Sequence, residues 1–341
     1  MKALRLLEER VLKLDNVPEP PPPGPGEVCL RMRAVALNHI DVWGYRGMAF
    51  AKRNLPIVVG AEGVGEVEAL GPGVTSLKVG TRVALYGGRT CGTCKRCLQG
   101  RDNLCENVAG VMGFHIDGMA AQWLNIPARF CLPFPDSLSW TNGACASITF
   151  STVEHMLYDN AKLEAGETIL IHAAGSGIGS TAILMAKQTG CEVFATASTD
   201  EKLAKAKALG ADHVINYTTQ RFETVVRRGT GKRGVDVVFE HTGPSTWPGS
   251  IFALARGGRL VTCGSTTGVS AETNLYSVYQ QQLKIFGSFG ASLRNVADGL
   301  AKMSNGLLPV IDSEYPMTEF EAGLARLASR DVFGKIVVHI D

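Results

Sequence analysis

Two periodicities divide the chain. From Glu27 to Val83, short apolar runs (Val28 to Val35, Gly63 to Leu70, Arg82 to Tyr86) are punctuated by Gly and Pro, and no long helical period appears. That stretch predicts a small β-rich domain. Beyond Phe150 strand-like runs alternate with amphipathic helical runs, as in βαβ units on a parallel sheet. The strands read as Thr168 to Ala173, Glu192 to Ala197, His213 to Asn216, Asp236 to Glu240 and Arg259 to Cys263. From about Gly290 two helical stretches, Leu293 to Ser304 and Met317 to Ser329, precede a last strand, Lys335 to Ile340. The predicted fold class is α/β: a β-rich domain over 1–148, a doubly wound parallel-sheet domain over 149–289, and a tail over 290–341 that rejoins the first domain.

The run of prolines from Pro18 to Pro25 removes backbone donors and fixes φ, so it predicts an extended spacer. At 341 residues the chain exceeds one ordinary core, and 45% apolar with 19% charged residues fits two packed domains rather than a disordered chain. A formal charge of +2 without a run of like charges offers no footprint for nucleic acid or anionic lipid, so the expected partner is a small molecule. The leucines of Met1 to Asn16 are interspersed with charges, which argues against a signal peptide or membrane span and for a cytoplasmic protein.

The run Thr168 to Ala173 leads into Ala174-Gly175-Ser176-Gly177-Ile178-Gly179 and then a helix predicted over Ser180 to Gln188. A glycine-rich turn lets the backbone approach a pyrophosphate, and the helix amino terminus supplies free N–H groups and a positive dipole end. At the end of the next strand, where a carboxylate usually holds the ribose of NAD, the chain reads Ala197-Ser198-Thr199. No acid there repels a 2′-phosphate, and Lys202 can meet it, which favours NADP(H). Asp200 is the alternative ribose ligand, and Ser198 with Glu201 could equally be a capping box. Tyr217 is placed to stack on adenine or to lie exposed in a loop. Ligands lie beyond the carboxyl ends of parallel strands, so Thr242-Gly243 and Cys263-Gly264-Ser265, with Thr149, are expected around the nicotinamide.

Nine cysteines is an odd number, and Cys91, Cys94, Cys97 and Cys105 crowd together. In a chain without an export signal such crowding argues for metal before disulfide, and four thiolates close a tetrahedral zinc shell with no open position. One structural zinc per chain is expected.

The stretch Gly60 to Gly65, the cysteine lobe and the glycine turn, in this order over nearly the whole chain, resemble the medium-chain dehydrogenase/reductase superfamily. The resemblance implies a GroES-like catalytic domain paired with a Rossmann domain, an active site in the cleft between them, and a homodimer or homotetramer. In the zinc alcohol dehydrogenases of that superfamily a catalytic zinc is held by a Cys, the His of a Gly-His-Glu and a later Cys. This chain has Asn38 at the first position, Ala61 in Gly60-Ala61-Glu62 at the second, and only Cys145 remains. One thiolate cannot hold a catalytic zinc. Asp41 and Glu62 resemble the carboxylates that orient those ligands. On a strand Asn38 and His39 would diverge, so an improvised site from His39, Asp41 and Cys145 is not expected.

Asn38-His39-Ile40-Asp41 is instead similar to the Asn-Pro-Val-Asp of the zinc-free quinone oxidoreductase branch. The implied chemistry is hydride addition from NADPH to a double bond conjugated to a carbonyl, as in a quinone, enone or enoyl thioester, where charge spreads and hydrogen-bond donors suffice. Asn38, at the lost ligand position, is the candidate donor to the developing oxyanion, with the turn cap as its alternative, and Trp43 the candidate wall or core residue. His39 resembles a family position near the pyrophosphate. Tyr45, Tyr86 and His115 are candidate proton donors, beside water. Two other readings remain open: an alcohol dehydrogenase with an atypical metal shell, and a protein that binds NADPH without turnover.

Overall fold

The computed structural model describes residues 1–48 and 53–340. The chain opens on a hairpin, β1 (Lys2–Glu8) and β2 (Val11–Asn16), paired antiparallel with Lys2 opposite Asn16. Alternation buries Leu4 and Leu6 and leaves Arg5 and Leu7 only partly covered, the period of a half-buried strand. After the proline spacer come β3 (Glu27–Ala36), β4 (Ile57–Val58), β5 (Gly63–Leu70), β6 (Arg82–Leu85), β7 (Trp123–Pro127) and β8 (Cys131–Pro133). β3 is the hub, pairing antiparallel with both β5 and β7.

One element departs from expectation here. Asn38-His39-Ile40-Asp41 is not a strand: the helix His39–Arg46 starts there, with Asn38 as its cap residue. The Asp41 carboxylate accepts the Asn38 N–H at 2.8 Å, a local bond that offers the backbone a helix start in place of a sheet ladder.

The second half builds β9 (Thr168–Ile171), β10 (Glu192–Ala197), β11 (His213–Asn216), β12 (Val235–Glu240), β13 (Leu254–Thr262) and β14 (Lys284–Gly287). They form one parallel sheet in the order β11-β10-β9-β12-β13-β14, the doubly wound arrangement with helices between strands. Its central strands read as continuous apolar runs because both faces are covered; Ile169, Leu170, Ile171, Val237, Val238 and Phe239 are fully buried. β14 is a sixth strand that the pattern did not reveal, since Lys284 and Ile285 are exposed on this edge.

The tail supplies helices Leu293–Ser304 and Phe320–Ser329 and two strands, β15 (Ile311–Pro316) and β16 (Lys335–His339). β16 pairs antiparallel with β3, so the carboxyl terminus completes the seven-stranded sheet of the amino-terminal half, β15-β16-β3-β5-β6-β8 with β7 also on β3. The chain thus divides into two compact units: Met1–Ser151 with Ala291–Asp341, and Thr152–Gly290. Thr149 falls in the first unit, whereas the sequence pattern grouped it with the parallel sheet.

Candidate functional site

In the first unit the chemistry gathers on Glu62, which follows the Gly60-Ala61 turn and is fully buried. Five donors converge on its carboxylate: the N–H groups of Ile148 (2.6 Å) and Thr149 (2.7 Å), the Thr149 hydroxyl (3.0 Å), the Asn38 amide (3.0 Å) and the Lys335 ammonium (3.1 Å). The two backbone donors are available because a helical turn starts at Cys145, and first-turn amides have no partner within the helix. The turn is wide: the Phe150 N–H reaches back to the Cys145 carbonyl at 3.1 Å.

Lys335, from the start of β16, is the cation of this cluster and is almost fully buried. Its three hydrogens go to the Leu37 carbonyl (2.7 Å), Asn38 Oδ1 (2.8 Å) and Glu62. An ammonium only donates, so the Asn38 atom facing it is the oxygen. The Asn38 nitrogen therefore points at two acceptors, the Ala36 carbonyl (3.0 Å) and Glu62. Both its protons are engaged within the protein, so here Asn38, expected as the donor to a substrate oxyanion, is a strut between Lys335 and Glu62. Thr149, expected beside the nicotinamide, likewise gives its hydroxyl and its amide to Glu62.

Asp41 is buried next to this cluster and accepts N–H groups from Asn38 and from Ala61 at 3.2 Å. Burial raises its pKa to about 6, against the lowering effect of these bonds and of Lys335. Burial also pushes the Cys145 thiol well above its ordinary value, and its nearest polar partner is the Thr141 carbonyl at 3.7 Å. A neutral thiol, an amide and an alanine form no metal shell, and the ammonium of Lys335 is already the counter-charge of Glu62. The residues present do not fit a catalytic zinc.

Trp43 is half-buried on the helix His39–Arg46 and meets His39 edge to face at 6.2 Å. Two of the three side chains considered as proton donors have spent their proton, the Tyr45 hydroxyl on Glu321 (3.0 Å) and the Tyr86 hydroxyl on the Ala291 carbonyl (2.7 Å), whereas His115 Nδ1 accepts the Val111 N–H (3.2 Å), which places its own proton on Nε2. Sequence reasoning missed Lys335; its one signal was a lysine opening an otherwise apolar final strand.

The cysteine lobe does come together. The sulfurs of Cys91, Cys94, Cys97 and Cys105 lie within 4.8 Å of one another, and those of Cys91 and Cys105 are 3.6 Å apart. Tetrahedral Zn–S bonds of about 2.3 Å require sulfurs separated by roughly this much. Backbone amides orient the sulfurs: Cys94 N–H donates to Cys91 (3.3 Å) and Cys91 N–H to Cys105 (3.2 Å). Without a cation the four cannot ionise alike. The N–H groups of Thr93 and Cys94 bring Cys91 down to about 5, whereas burial and the neighbouring sulfurs push Cys97 up to about 12.

In the second unit the residues expected to bind a dinucleotide follow the carboxyl ends of successive parallel strands. After β9, Ala173 takes a left-handed φ of 47°, and Ser176 caps the helix Gly177–Thr189 by accepting the Gly179 N–H at 2.9 Å. Only glycine fits at 179, where a Cβ would lie 2.3 Å from the Ala173 carbonyl oxygen. After β10 it is Thr199, not Ser198, that caps the next helix, accepting the Lys202 N–H at 3.3 Å. Asp200 is engaged by the Asn216 side chain at 3.1 Å, and Tyr217 beside it is exposed. After β12 the N–H groups of Thr242 and Gly243 both donate to Glu240, and after β13 Cys263 and Gly264 are half-buried with Ser265 exposed.

A zinc-binding dehydrogenase family model matches residues 177–305 and an alcohol dehydrogenase GroES-like domain matches residues 24–136. The chain is 31% identical over 322 residues to an alcohol dehydrogenase of Geobacillus stearothermophilus, covering 93% of each. It belongs to the medium-chain dehydrogenase/reductase superfamily. A 2-haloacrylate reductase of a Burkholderia species is 34% identical over 252 residues, 73% of this chain and 68% of that protein. A crystal structure of an NAD-dependent alcohol dehydrogenase superposes over the full length of both chains with a TM-score of 0.95 at 39% identity. The seven-stranded sheet is thus the GroES-like domain, the parallel sheet the Rossmann-like domain, and the protein an oxidoreductase of this superfamily.

Proposed function

We propose that this dehydrogenase-family chain is an NADP(H)-dependent reductase that adds hydride to a double bond activated by a neighbouring carbonyl, in a quinone, an enone or an enoyl thioester, without a catalytic zinc. The observation that carries the reading is Lys335: an ammonium with all three hydrogens spent ties Asn38, which stands where relatives of the zinc type would need a ligand, to the Glu62 carboxylate. A simple ketone needs a Lewis acid or a strong donor at its oxygen while hydride moves, and this cluster offers neither. A conjugated alkene spreads the incoming charge onto its own carbonyl, so a weaker field suffices. The 2-haloacrylate reductase among the relatives bears a name that describes such an acceptor.

When bound, a nicotinamide dinucleotide supplies the hydride. The residues that would hold it are Gly175, Ser176, Gly177, Ile178 and Gly179 at the pyrophosphate, His39 near it, Ser198, Thr199 and Lys202 at the adenosine ribose, and Tyr217 at adenine. Thr242, Gly243, Cys263, Gly264 and Ser265 would lie nearer the nicotinamide. The absence of a carboxylate at Ala197-Ser198-Thr199, with Lys202 one helical turn on, supports the 2′-phosphate form. Cys91, Cys94, Cys97 and Cys105 hold one structural zinc. Trp43 and Cys145 contribute apolar surface to the substrate side, and the proton comes from water.

The same reading makes the protein cytoplasmic and a homodimer or a tetramer of dimers. No helix is long and apolar enough to cross a membrane among the described residues. In the second unit the edge strand β14 and its neighbours expose Leu275, Tyr276, Tyr279, Ile285 and Phe289, an apolar set that supports pairing with a second copy. The deciding experiment is a panel of NADPH and NADH oxidation assays with quinones, 2-alkenals, cyclic enones and enoyl thioesters, set beside alcohol oxidation. Faster turnover of any alcohol, or preference for NADH, overturns the reading. The similarity to alcohol dehydrogenases favours a second reading, a zinc alcohol dehydrogenase with an atypical shell, and near two zincs per chain by elemental analysis would establish it.

A further inference from the structure

Beneath the dinucleotide turn of the second unit lies a buried polar chain that the reaction itself does not use. Glu240, fully buried at the carboxyl end of β12, accepts the N–H groups of Thr242 (2.7 Å) and Gly243 (3.1 Å) on one oxygen. Its other oxygen accepts the hydroxyls of Thr246 (2.8 Å) and Ser250 (2.8 Å). His172, also fully buried, sits between Ser250 Oγ (2.9 Å from Nε2) and Thr196 Oγ1 (3.2 Å from Nδ1). Thr196 Oγ1 in turn accepts the Ala173 N–H at 3.2 Å, inside the glycine-rich turn.

The proton directions along this chain are fixed. Glu240 takes four donors, so it is a carboxylate and the Ser250 hydroxyl must point its one proton at it. Ser250 Oγ is then free only to accept, which makes His172 Nε2 the protonated nitrogen. Burial pushes His172 below its ordinary pKa against the pull of Glu240, so the ring is neutral and Nδ1 accepts. Thr196 therefore donates to Nδ1 and keeps its lone pairs for Ala173. A single ordered run results, from Ala173 N–H through Thr196, His172 and Ser250 to Glu240, and on to the amides of Thr242 and Gly243.

We propose that His172, Glu240, Thr196 and Ser250 are positioning residues for the dinucleotide: the chain locks the turn after β9 and the loop after β12 into one mutual geometry. The inference rests on the dinucleotide reading above. It has a physical motive, since Ala173 holds a left-handed φ of 47° that an alanine adopts only where its surroundings impose it. Three strand ends are tied by side chains that no ladder bond supplies: β9 through His172, β10 through Thr196 and β12 through Glu240. Preorganisation of this kind appears as cofactor affinity, because ordering the loops on binding would otherwise oppose it.

The test uses the full chain with NADPH and NADH as fluorescent probes. Thr196→Val removes the central hydroxyl at nearly constant volume, and Thr196→Ser keeps the hydroxyl but drops the methyl. The expected result is a rise of about tenfold or more in the dissociation constant and KM for the preferred cofactor in Thr196→Val, with kcat at saturating cofactor within about threefold of wild type. Thr196→Ser should return the dissociation constant to within about twofold. Glu240→Gln and Ser250→Ala should weaken cofactor binding in the same sense. Wild-type affinity in folded Thr196→Val, or a Thr196→Ser as weak as Thr196→Val, overturns the proposal. If every one of these variants fails to fold, the chain is a stability element and the proposal is equally wrong. A wild type that binds neither dinucleotide sinks the cofactor reading itself, a result these variants do not mimic.

Discussion

At the cysteine lobe four sulfurs stand within 4.8 Å of one another around the room for an ion, while around Glu62 the cation is Lys335, covalently part of β16. Both places concentrate negative charge in the GroES-like unit, and each needs a positive partner. The lobe would capture its partner from solution and depend on metal supply and pH, because the sulfurs must ionise to bind it. The Glu62 cluster carries its own, immune to chelation. The difference teaches what each can do: a tethered ammonium with three spent hydrogens neutralises a buried carboxylate but cannot exchange a ligand for substrate, as a catalytic metal must.

The largest expected effect is at the lobe. Cys97→Ser should take zinc content from about one per chain to near none, and the lobe then loses a binding free energy on the order of 10 kcal/mol. Elemental analysis and limited proteolysis across residues 91–105 check this; zinc retained in the variant would dissolve the contrast. Next comes Lys335→Met, which strands Glu62 without its counter-charge and should cost roughly 3–5 kcal/mol in urea unfolding while leaving the zinc untouched. If the two variants fail alike, the two regions are one unit energetically.

Asp41 sharpens the comparison through pH. Its folded pKa of about 6 lies above the ordinary 3.8, so its contribution to stability is fully present below about pH 4 and lost as pH rises through 6. Asp41→Asn should remove about 3 kcal/mol of that decline between pH 4 and 7. Denaturant midpoints across that range measure it, and an unchanged slope would place the titration elsewhere. The smallest effect is in the Rossmann-like unit, where Ala173→Gly relieves a left-handed φ and should stabilise by about 1 kcal/mol.

Much of the fold was legible because its signals are local. The runs Gly63 to Leu70, Glu192 to Ala197, His213 to Asn216 and Leu293 to Ser304 match the observed elements end to end, since period and punctuation sit in adjacent residues. Among the elements that escaped, two show why. The helix at His39 hides in a strand-like context because its start depends on the side-chain bond from Asp41, and β14 hides because an exposed edge strand lacks the apolar run of its buried neighbours.

The amino-acid order by itself determined the alternation of strands and helices, the glycine turn, the four clustered sulfurs and the loss of two ligand types at Asn38 and Ala61. What it could not determine was the partner of each buried polar group. Lys335 reaches Asn38 from 297 positions away, and His172 meets Ser250 across 78. Such pairings carry no local periodicity. They are chosen when the tertiary fold removes water, because a buried charge or amide then has to find whichever donor or acceptor the packing brings to it.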